Sequence, residues 1–405
     1  MPQPVRVAIV GTGNIARVHA EALTAVNTAV NPHAVTPLAT IVAVMDTDDR
    51  RLGSFVEELA VPAGYRQLDD LLSHEHPDLV HICTPPSAHY PVALGCLRAG
   101  VSVLVEKPPA ISLREFDALA AAESEVGGHR APPWFATVFQ HRFGSGQRRL
   151  ATLAASGVLG RPLLALCHTT WFRDQAYFDV EWRGRWDTEG GGPTMGHGIH
   201  QMDMLLDVLG EWTEVSAVAR TLARKTSTED LSLAHVTFAS GAVASVVNSV
   251  LSPREESYLR FDFERATVEV THLYGYDDDD WRITPAPGSD EEVLAAWAQA
   301  TGGPARRAHK GSGAGKGSGG AGSGGVSAAR SGRSGHAAQF AHVLFALRDG
   351  RRPPVGPAQA RGTLSLAAGI YASAFAGRPV TPDYLAPGSP FYQRMNGPVD
   401  GGTTA

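Results

Sequence analysis

Short apolar runs alternate with segments of helical periodicity through the first third of the chain. The apolar runs predict strands at Val5–Val10, Leu38–Met45, Leu79–Cys83 and Val101–Val105. The segments that follow them predict helices at Ile15–Leu23, Arg50–Leu59, Tyr90–Ala99 and Leu113–Ser124. Strand–helix units that repeat at this length are typical of a parallel sheet with helices on both faces. We therefore predict a doubly wound α/β domain and place it at residues 1–128.

The pattern changes near residue 130, where strands begin to follow one another without intervening helices. Strands are predicted at Phe135–Phe139, Leu163–Thr170, Val215–Arg220, Leu233–Phe238, Ala242–Val250, Leu259–Phe263 and Thr267–His272. Helices are predicted at Gln147–Ala155, Ile199–Leu209, Ala337–Arg348 and Arg361–Phe375. Consecutive strands favour antiparallel pairing. The second part, residues 129–378, is therefore predicted to be an α+β domain with an open, mainly antiparallel sheet.

Two segments fall outside this pattern. Residues 302–335 are rich in Gly and Ser, and such a tract cannot bury enough apolar area to offset its ordering entropy. We expect it to be a flexible surface insert of the second domain. Residues 379–405 are expected to form a loosely held C-terminal tail.

Composition and charge narrow the functional classes. The net charge of −6 argues against a nucleic-acid partner or an anionic membrane surface. No apolar stretch approaches the ~20 residues of a membrane helix, and the first residues lack the apolar core of a secretory signal. The three cysteines are scattered, which offers neither a disulfide framework nor a thiolate metal site. We expect a cytoplasmic protein.

A glycine-rich loop stands between the first strand and the first helix. It comprises Gly11, Thr12, Gly13, Asn14, Ile15 and Ala16. Gly11 suits a tight turn, Gly13 allows the backbone close to a pyrophosphate, and Ala16 keeps the helix near the sheet. An anion would then lie at the helix N-terminus, around Asn14 and Ile15. The loop therefore indicates a dinucleotide site, and the alternative is a plain glycine turn.

Asp46 follows the second strand, where an acidic residue would bind the adenosine ribose hydroxyls. A carboxylate there repels a 2′-phosphate, so we expect NAD, with NADP as the alternative because Arg50 and Arg51 are close. The other interpretation of Asp46 is a helix N-cap, together with Asp48 and Asp49.

A charged pair, Glu106 and Lys107, ends the strand at Val101–Val105 and is followed by two prolines. In open α/β sheets, ligands bind outside the carboxyl ends of the strands. Packing does not require a charge pair in that position, so we predict that Lys107 takes part in chemistry. The alternative is a structural ion pair with Glu106.

A second polar block runs from the triple glycine at Gly190 to Asp203. His200 and Asp203 are three residues apart at the start of a helix and share a face. A histidine near neutral pKa is a natural base for a hydroxyl proton. The alternatives are a core histidine, or a metal site formed with His197, although no further ligand is indicated and we predict no metal.

Taken together, the motifs resemble those of the Gfo/Idh/MocA oxidoreductases (glucose–fructose oxidoreductase, inositol dehydrogenase and rhizopine catabolism). The resemblance rests on the glycine loop at 11–16, Cys83 through His89, Glu106-Lys107-Pro108, Gln140 through Phe143, and Gly190 through Asp203. It covers the chain except for residues 302–335 and the tail. It implies a Rossmann domain, a bound nicotinamide dinucleotide, and hydride transfer at a hydroxyl carbon of a sugar, nucleotide sugar or cyclitol.

The resemblance also implies roles for individual residues. Lys107 would bind the reacting oxygen and stabilise its developing charge, and His200 would be the general base. The predicted cofactor-binding residues are Gly11, Gly13, Asn14, Ile15, Asp46, Thr84, Pro85, His89, Glu106 and Lys107. The predicted substrate-binding residues are Arg142, Trp171, Arg183 and Asp203. For the arginines and the tryptophan, the alternative is structural salt bridges and packing.

One position departs from the family pattern. Many relatives carry an acidic residue four positions before the histidine, and this chain has Gly196 there. His197 would partly substitute for the acid, or Lys107 would transfer the proton unaided. Two other functions stay open: an NAD-retaining glycosidase and a non-catalytic dinucleotide-binding regulator. The exposed face of an open sheet further predicts a homo-oligomer.

Overall fold

The first sheet is parallel, as the alternating pattern predicted, and it contains six strands. The assignment of Phe135–Phe139 to the second domain was wrong, because this segment pairs with the strand at Ser102–Val105. A computed structural model describes residues 3–30, 36–125, 133–300 and 332–398. The strands are β1 (Val5–Val10), β2 (Ala39–Met45), β3 (Gly64–Tyr65), β4 (Leu79–Ile82), β5 (Ser102–Val105) and β6 (Phe135–Thr137). Their order across the sheet is β3-β2-β1-β4-β5-β6. The change of direction next to β1 is the switch point at which doubly wound folds bind ligands.

Helices connect these strands and cover both faces of the sheet. They are α1 (Asn14–Val30), α2 (Asp49–Leu59), α3 (Leu68–Glu75), α4 (His89–Arg98) and α5 (Leu113–Glu125). Val7, Ile9, Val80 and Leu104 in the central strands are completely buried. Strands with such continuous apolar runs need cover on both sides, and the helices provide it.

The second sheet has seven strands and is mainly antiparallel, which confirms the predicted fold class. The strands are β7 (Pro162–Phe172), β8 (Trp212–Arg220), β9 (Leu231–Phe238), β10 (Val243–Ser249), β11 (Leu251–Phe263), β12 (Ala266–His272) and β13 (Trp281–Pro285). Their order is β13-β12-β11-β7-β10-β9-β8, with β7 and β10 as the parallel pair. In β9, buried and exposed residues alternate, because one face of the sheet is covered and the other is open.

The remaining helices follow β6 in the chain. They are α6 (Ser145–Ser156), α7 (Gln175–Phe178), α8 (Pro193–Gly196), α9 (Ile199–Leu209), α10 (Asp290–Gln299), α11 (His336–Arg348), α12 (Pro357–Ala376) and α13 (Pro390–Gln393). Helix α11 returns to the first sheet, where Phe340 and Leu344 pack with Val5 and Val7. The C-terminal part of the chain therefore contacts both sheets, although we assigned it to the second domain.

The register of the first sheet aligns the carboxyl ends of its central strands. Val10 at the end of β1 pairs with Ile82 of β4, and Ile82 pairs with Val105 of β5. Because these strands are parallel, the residues that follow them leave the sheet at one edge. Gly11 and Glu106 are consequently brought together from distant parts of the sequence.

The segment after Pro379 is packed rather than loosely held. Val380 bridges to Val215 on β8, and Leu385 and Phe391 are almost completely buried. The expectation of a loose tail was wrong for residues 379–398, because isolated apolar residues between prolines give no periodic signal. Residues 399–405, most of the predicted insert 302–335 and the predicted boundary at 128 lie outside the described residues.

The part of the chain described here contains no helix long and apolar enough to cross a membrane.

We predict that Phe391→Ala lowers the free energy of unfolding by about 3 kcal/mol, the usual cost of truncating a buried aromatic ring. Phe391 is 4% exposed and stacks parallel to Phe375, with 6.4 Å between ring centroids. Urea denaturation at neutral pH measures the change. The control Phe172→Ala removes a ring that is 39% exposed and should cost much less. Equal effects of the two substitutions would contradict a docked C-terminal segment.

Candidate active site

The glycine loop has the geometry of a dinucleotide cradle. Gly11 has φ of +91°, and a Cβ there would lie 2.7 Å from the carbonyl oxygen of Cys83. A side chain at Gly11 is therefore excluded twice, by conformation and by space. A Cβ on Gly13 would meet nothing within 4 Å, so the space above the loop is open. Helix α1 begins at Asn14, directly after the loop, and the N-terminus of a helix favours an anion.

Asp46, directly after β2, accepts hydrogen bonds from the glycine loop. Its Oδ2 accepts hydrogen bonds from the N–H and the hydroxyl of Thr12, at 2.8 and 2.7 Å, and its Oδ1 accepts the N–H of Asp48 at 2.9 Å. The N-cap of α2 is Asp48, whose side chain accepts the N–H groups of Arg50 and Arg51. The N-cap interpretation of Asp46 is therefore wrong, and its carboxylate remains beside the loop where a ribose would bind.

The loop after β4 joins this edge of the sheet. The hydroxyl of Thr84 is buried and has no hydrogen-bond partner among the described residues, and Pro85 precedes a single 3₁₀ turn. His89 bridges two loops, because its Nδ1 lies 2.7 Å from the carbonyl oxygen of Pro108 and its Nε2 lies 2.9 Å from that of Thr84. Thr84 thus has free hydrogen-bonding capacity for a ligand, whereas both ring nitrogens of His89 are occupied by the protein.

Lys107 reaches from the first sheet to the second domain. Its Nζ donates a hydrogen bond of 2.9 Å to the carbonyl oxygen of Gly196. Burial lowers the pKa of Lys107, and Arg183 lowers it further, while Glu106 and Glu189 act in the opposite direction. An ammonium group with a lowered pKa at a ligand site is suited to stabilise an oxyanion or to exchange a proton.

Glu106 faces away from the ammonium group of Lys107. Its Oε2 accepts the backbone N–H of Lys107 at 3.1 Å, and its Oε1 lies 2.9 Å from Nε2 of His19 and 3.4 Å from Nε2 of His336. Burial opposes the charged form of Glu106, but the hydrogen bond with His19 and the proximity of His336 outweigh it and hold the pKa well below its usual range. The Glu106–Lys107 side-chain ion pair that we weighed from the sequence is absent from this geometry.

The histidines behind Glu106 form a buried network. Nδ1 of His19 lies 3.0 Å from Nδ1 of His81 and 3.3 Å from Sγ of Cys83. Among the described residues, His19, Glu106 and His336 are the group whose ligand atoms lie close enough to hold a metal ion, within 4.8 Å of one another. Two donors on one tetrahedral Zn²⁺ would lie ~3.3 Å apart. The 2.9 Å His19–Glu106 contact is shorter and has the length of a hydrogen bond.

His200 stands at the start of α9, four residues after the carbonyl group that Lys107 contacts. It is 7% exposed, and its Nδ1 has no hydrogen-bond partner in the described part of the protein. Its ring packs against His141 at 5.0 Å between centroids. Burial, the charge of Lys107 and His141 hold the pKa of His200 well below its usual range. The imidazole is therefore neutral near pH 7 and able to accept a proton.

The ring of His197, three residues before His200, packs against two aromatic side chains. Its centroid lies 5.0 Å from that of Trp171 and 5.7 Å from that of Tyr177. The indole N–H of Trp171 donates to the hydroxyl of Ser257 at 3.0 Å, and the residue is 6% exposed. Packing therefore accounts for Trp171, although it lies close to the predicted site.

Arg142 and Asp203 bind each other. Nε and Nη2 of Arg142 donate to the two carboxylate oxygens of Asp203 at 2.5 and 2.8 Å, and Nη1 donates to Asp207 at 2.6 Å. Thr363 donates a further hydrogen bond of 3.0 Å to Asp203. The side chains of Arg142 and Asp203 are only 12% and 1% exposed. This geometry supports the structural alternative for Arg142. It also gives Asp203 a structural role, because the hydrogen-bonding groups of both residues are satisfied within the protein.

Arg183 lies on the other side of the site, near Lys107. Its guanidinium group lies 4.0 Å from the ring centroid of Tyr177 and 4.2 Å from that of Trp182. It donates to Oε1 of Glu189 at 3.1 Å and to the hydroxyl of Tyr177. Its side chain is 26% exposed, so Arg183 keeps the accessible surface that a substrate-binding role requires.

Two family models match this chain. "Oxidoreductase family, NAD-binding Rossmann fold" matches residues 5–129, and "GFO/IDH/MocA C-terminal domain" matches residues 147–271. The chain belongs to the Gfo/Idh/MocA family. Its first domain is an NAD-binding Rossmann domain of that family, which agrees with the cradle at Gly11 and with the predicted cofactor.

Two curated relatives are similar to this chain over most of their length. D-glucoside 3-dehydrogenase of Escherichia coli is 26% identical over 296 residues, which cover 67% of this chain and 79% of the relative. Inositol 2-dehydrogenase of Rubrobacter xylanophilus is 29% identical over 275 residues, which cover 67% and 72%.

Solved structures of other proteins share the fold. WlbA dehydrogenase from Chromobacterium violaceum, in complex with NADH and UDP-GlcNAcA, has a TM-score of 0.73 at 24% identity, with 94% of this chain and 96% of that chain covered. Levoglucosan dehydrogenase, in complex with NADH and levoglucosan, has a TM-score of 0.73 at 16% identity, with 94% and 99% covered.

Several residues of the site were not singled out from the sequence. Glu189 stands directly before the triple glycine, and this position next to a special backbone segment was an available signal. His19 lies eight positions after Gly11 on α1, so helical spacing from the glycine loop would have placed it at the sheet edge. No local signal marks His336, because only the return of α11 to the first sheet brings it there.

The buried histidines make stability depend on pH. Among the described residues, burial lowers the pKa of several almost completely buried histidines, which are His19, His81, His89, His141, His197, His200 and His272, the last to about 4. In the unfolded chain these groups take up protons near pH 6.5, whereas in the folded protein they do so only at lower pH. The unfolded state therefore binds more protons below pH 6.5, and stability falls as pH falls.

We expect the free energy of unfolding, measured by urea denaturation, to drop by several kcal/mol between pH 7 and pH 5, since each group contributes up to about 1.4 kcal/mol per pH unit. His272→Phe should reduce the slope, and the exposed His74→Phe should leave it unchanged. A flat profile across this range would show that the burial does not keep these rings neutral.

Proposed function

We propose that this protein is an NAD-dependent dehydrogenase or reductase that transfers hydride between nicotinamide and a hydroxyl carbon of a sugar, nucleotide sugar or cyclitol. The observation that carries the proposal is the placement of Lys107 at the mouth of the dinucleotide cradle. Its ammonium group donates to the Gly196 carbonyl oxygen, four residues before His200. The charge of Lys107 also acts on the His200 ring, which supports a pairing of a cationic donor with a neutral base.

Each residue has a defined task in this reaction. A bound NAD⁺ supplies the hydride acceptor. Lys107 donates a hydrogen bond to the substrate oxygen and stabilises its developing negative charge. His200 takes the hydroxyl proton while the C–H bond breaks, its electron pair leaves as hydride, and the carbonyl bond forms. In the reductive direction, His200 returns the proton to the carbonyl oxygen.

The substrate class is supported by the family and by the names of its members. D-glucoside 3-dehydrogenase, inositol 2-dehydrogenase and levoglucosan dehydrogenase are named for small polyhydroxylated compounds. Arg183 is available for a substrate hydroxyl or phosphate. The carboxylate of Asp46 supports NAD over NADP, because it lies beside the glycine loop where a 2′-phosphate would be repelled.

We predict that Lys107→Met and His200→Gln each lower kcat by about 10²–10³-fold, since each removes charge stabilisation or general-base catalysis. Turnover is followed by NADH absorbance at 340 nm over a panel of sugars, nucleotide sugars and cyclitols. The control His168→Gln changes a half-exposed histidine on the open face of β7. Full turnover by a correctly folded Lys107→Met variant would refute the proposed role of this residue.

The same assay separates the other functions considered from the sequence. A glycosidase that retains NAD would cleave a glycoside without net formation of NADH. A regulator would bind NADH, as seen by fluorescence titration, and turn over nothing in the panel. Net, substrate-dependent formation of NADH supports the dehydrogenase.

The pH profile of kcat/KM follows from the same two groups. His200 acts as the neutral base, and its lowered pKa places the loss of activity in acid below pH 6.5. Lys107 acts in its protonated form, and its lowered pKa brings the alkaline loss of activity below pH 10.5. A kcat/KM profile that falls on only one side of its maximum would contradict these roles of His200 and Lys107. So would a loss of activity in acid that begins above pH 6.5.

We also propose that the protein forms a homo-oligomer through the open face of the second sheet. Val218, Leu233 and Val243 are 46%, 43% and 47% exposed, and Val218 pairs with Leu233 across neighbouring strands. Exposed apolar groups of this kind mark an interface. Light scattering should find a dimer or larger assembly, and the double substitution Val218→Lys/Leu233→Lys should dissociate it. A monomeric wild-type protein would refute the interface.

A cytoplasmic location is supported by the cysteines. Cys83, Cys96 and Cys167 are buried free thiols, the state that a reducing compartment maintains. Mass spectrometry of alkylated protein from its native cells should find all three as thiols. A disulfide would argue for another compartment.

A further inference from the structure

The backbone of Gly196 contacts the ammonium group of Lys107, but this position carries no side chain. The carbonyl oxygen of Gly196 accepts the hydrogen bond from Lys107. A Cβ built on Gly196 would have a single non-neighbouring atom within 4 Å in the described structure, Oε1 of Glu189 at 3.6 Å. This is an ordinary van der Waals distance. The direction that a side chain would take from position 196 therefore leads to the carboxylate of Glu189.

The loop before the triple glycine holds Glu189 in place. Oε2 accepts the backbone N–H of Gly184 at 2.7 Å, and Oε1 accepts a hydrogen bond of 3.1 Å from Arg183. The residue is only 4% exposed. Gly190, the next residue, has φ of +80°, so the chain turns sharply after the carboxylate. A buried carboxylate with two fixed donors is a rigid element of the site.

The positive charges on this side of the site need a carboxylate. Arg183 lies close enough to Lys107 to oppose its charged form and lower its pKa. Glu106 is turned to the histidine network, and Asp203 is bound to Arg142. Glu189 is the acidic residue that contacts Arg183 and also attracts the ammonium group of Lys107.

We infer that Glu189 is a positioning residue that supplies, from the loop before the triple glycine, the carboxylate that position 196 does not carry, and that it holds Lys107 and Arg183 in place at the reacting oxygen. This inference rests on the proposed dehydrogenase function. Glu189 acts through Lys107 and Arg183 and takes no proton from the substrate.

Glu189 also affects the protonation of Lys107. The charge of Glu189 raises the pKa of Lys107 and partly offsets the effect of burial. Other titratable or charged groups that interact electrostatically with Lys107 are Glu106, Arg183, His89, His141, His197 and His200. Without the negative charge of Glu189, the effect of Arg183 and of burial on Lys107 is less compensated. Lys107 should then lose its proton at lower pH.

We predict that Glu189→Gln lowers kcat/KM about tenfold and moves the alkaline limb of its pH profile down by about one unit, since a unit of pKa corresponds to a tenfold change. The matched control is Glu181→Gln, which neutralises an exposed carboxylate in the same segment. Amine labelling of Lys107 against pH, quantified by peptide mass spectrometry without cofactor, gives its titration independently of turnover. Melting temperatures of both variants verify folding.

A substitution at position 196 provides the sharper test, because its effect should change sign. In the wild-type background, Gly196→Asp places a second carboxylate beside Glu189 and should lower kcat/KM by like-charge repulsion. In a Glu189→Ala background, Gly196→Asp returns a carboxylate to the same space and should raise kcat/KM severalfold. A role in folding alone would not produce this reversal.

The outcomes separate the two proposals. An active wild-type protein whose kcat/KM, alkaline limb and Lys107 labelling are unchanged by Glu189→Gln overturns the role of Glu189 and leaves the dehydrogenase function intact. A decrease by Gly196→Asp in both backgrounds also overturns it. A wild-type protein without turnover on the whole panel overturns the proposed function, and this inference with it.

Discussion

The hydrogen-bond register of the parallel sheet is the constraint on which the site depends. Because Val10, Ile82 and Val105 are aligned, the glycine loop, the Thr84 loop and the Glu106–Lys107 pair leave the sheet side by side. A shift of one residue in β5 would exchange the directions of Glu106 and Lys107. The carboxylate would then face the second domain, and the ammonium group would be buried among histidines.

Burial is the second organising effect, because it decides which groups carry charge. Behind the sheet edge, Glu106 stays ionised through its hydrogen bonds, while His19 is kept neutral. In front of it, Lys107 lies beside the neutral ring of His200. The two sides of the strand end thus have different chemistry. One side fixes the backbone of Lys107, and the other presents its ammonium group to the substrate domain.

The sequence predicted those parts of the protein in which local pattern and tertiary structure agree. Both fold classes, the glycine loop and helix α9 follow from apolar periodicity and from glycine spacing. The partners of Arg142 and Asp203 could not be predicted, because their pairing depends on the approach of α9 to a distant 3₁₀ turn. The place of His336 likewise depends on a helix that returns to the first sheet after nearly two hundred residues. Short elements such as α3 lack enough periodicity to be recognised.

The most direct test is a crystal structure of the protein with NAD⁺ and a bound sugar or cyclitol. The account predicts that the reacting hydroxyl lies about 2.6–3.2 Å from both Nζ of Lys107 and a ring nitrogen of His200. It would be contradicted by a ligand whose hydroxyl groups contact neither residue while Lys107 remains bound to Gly196.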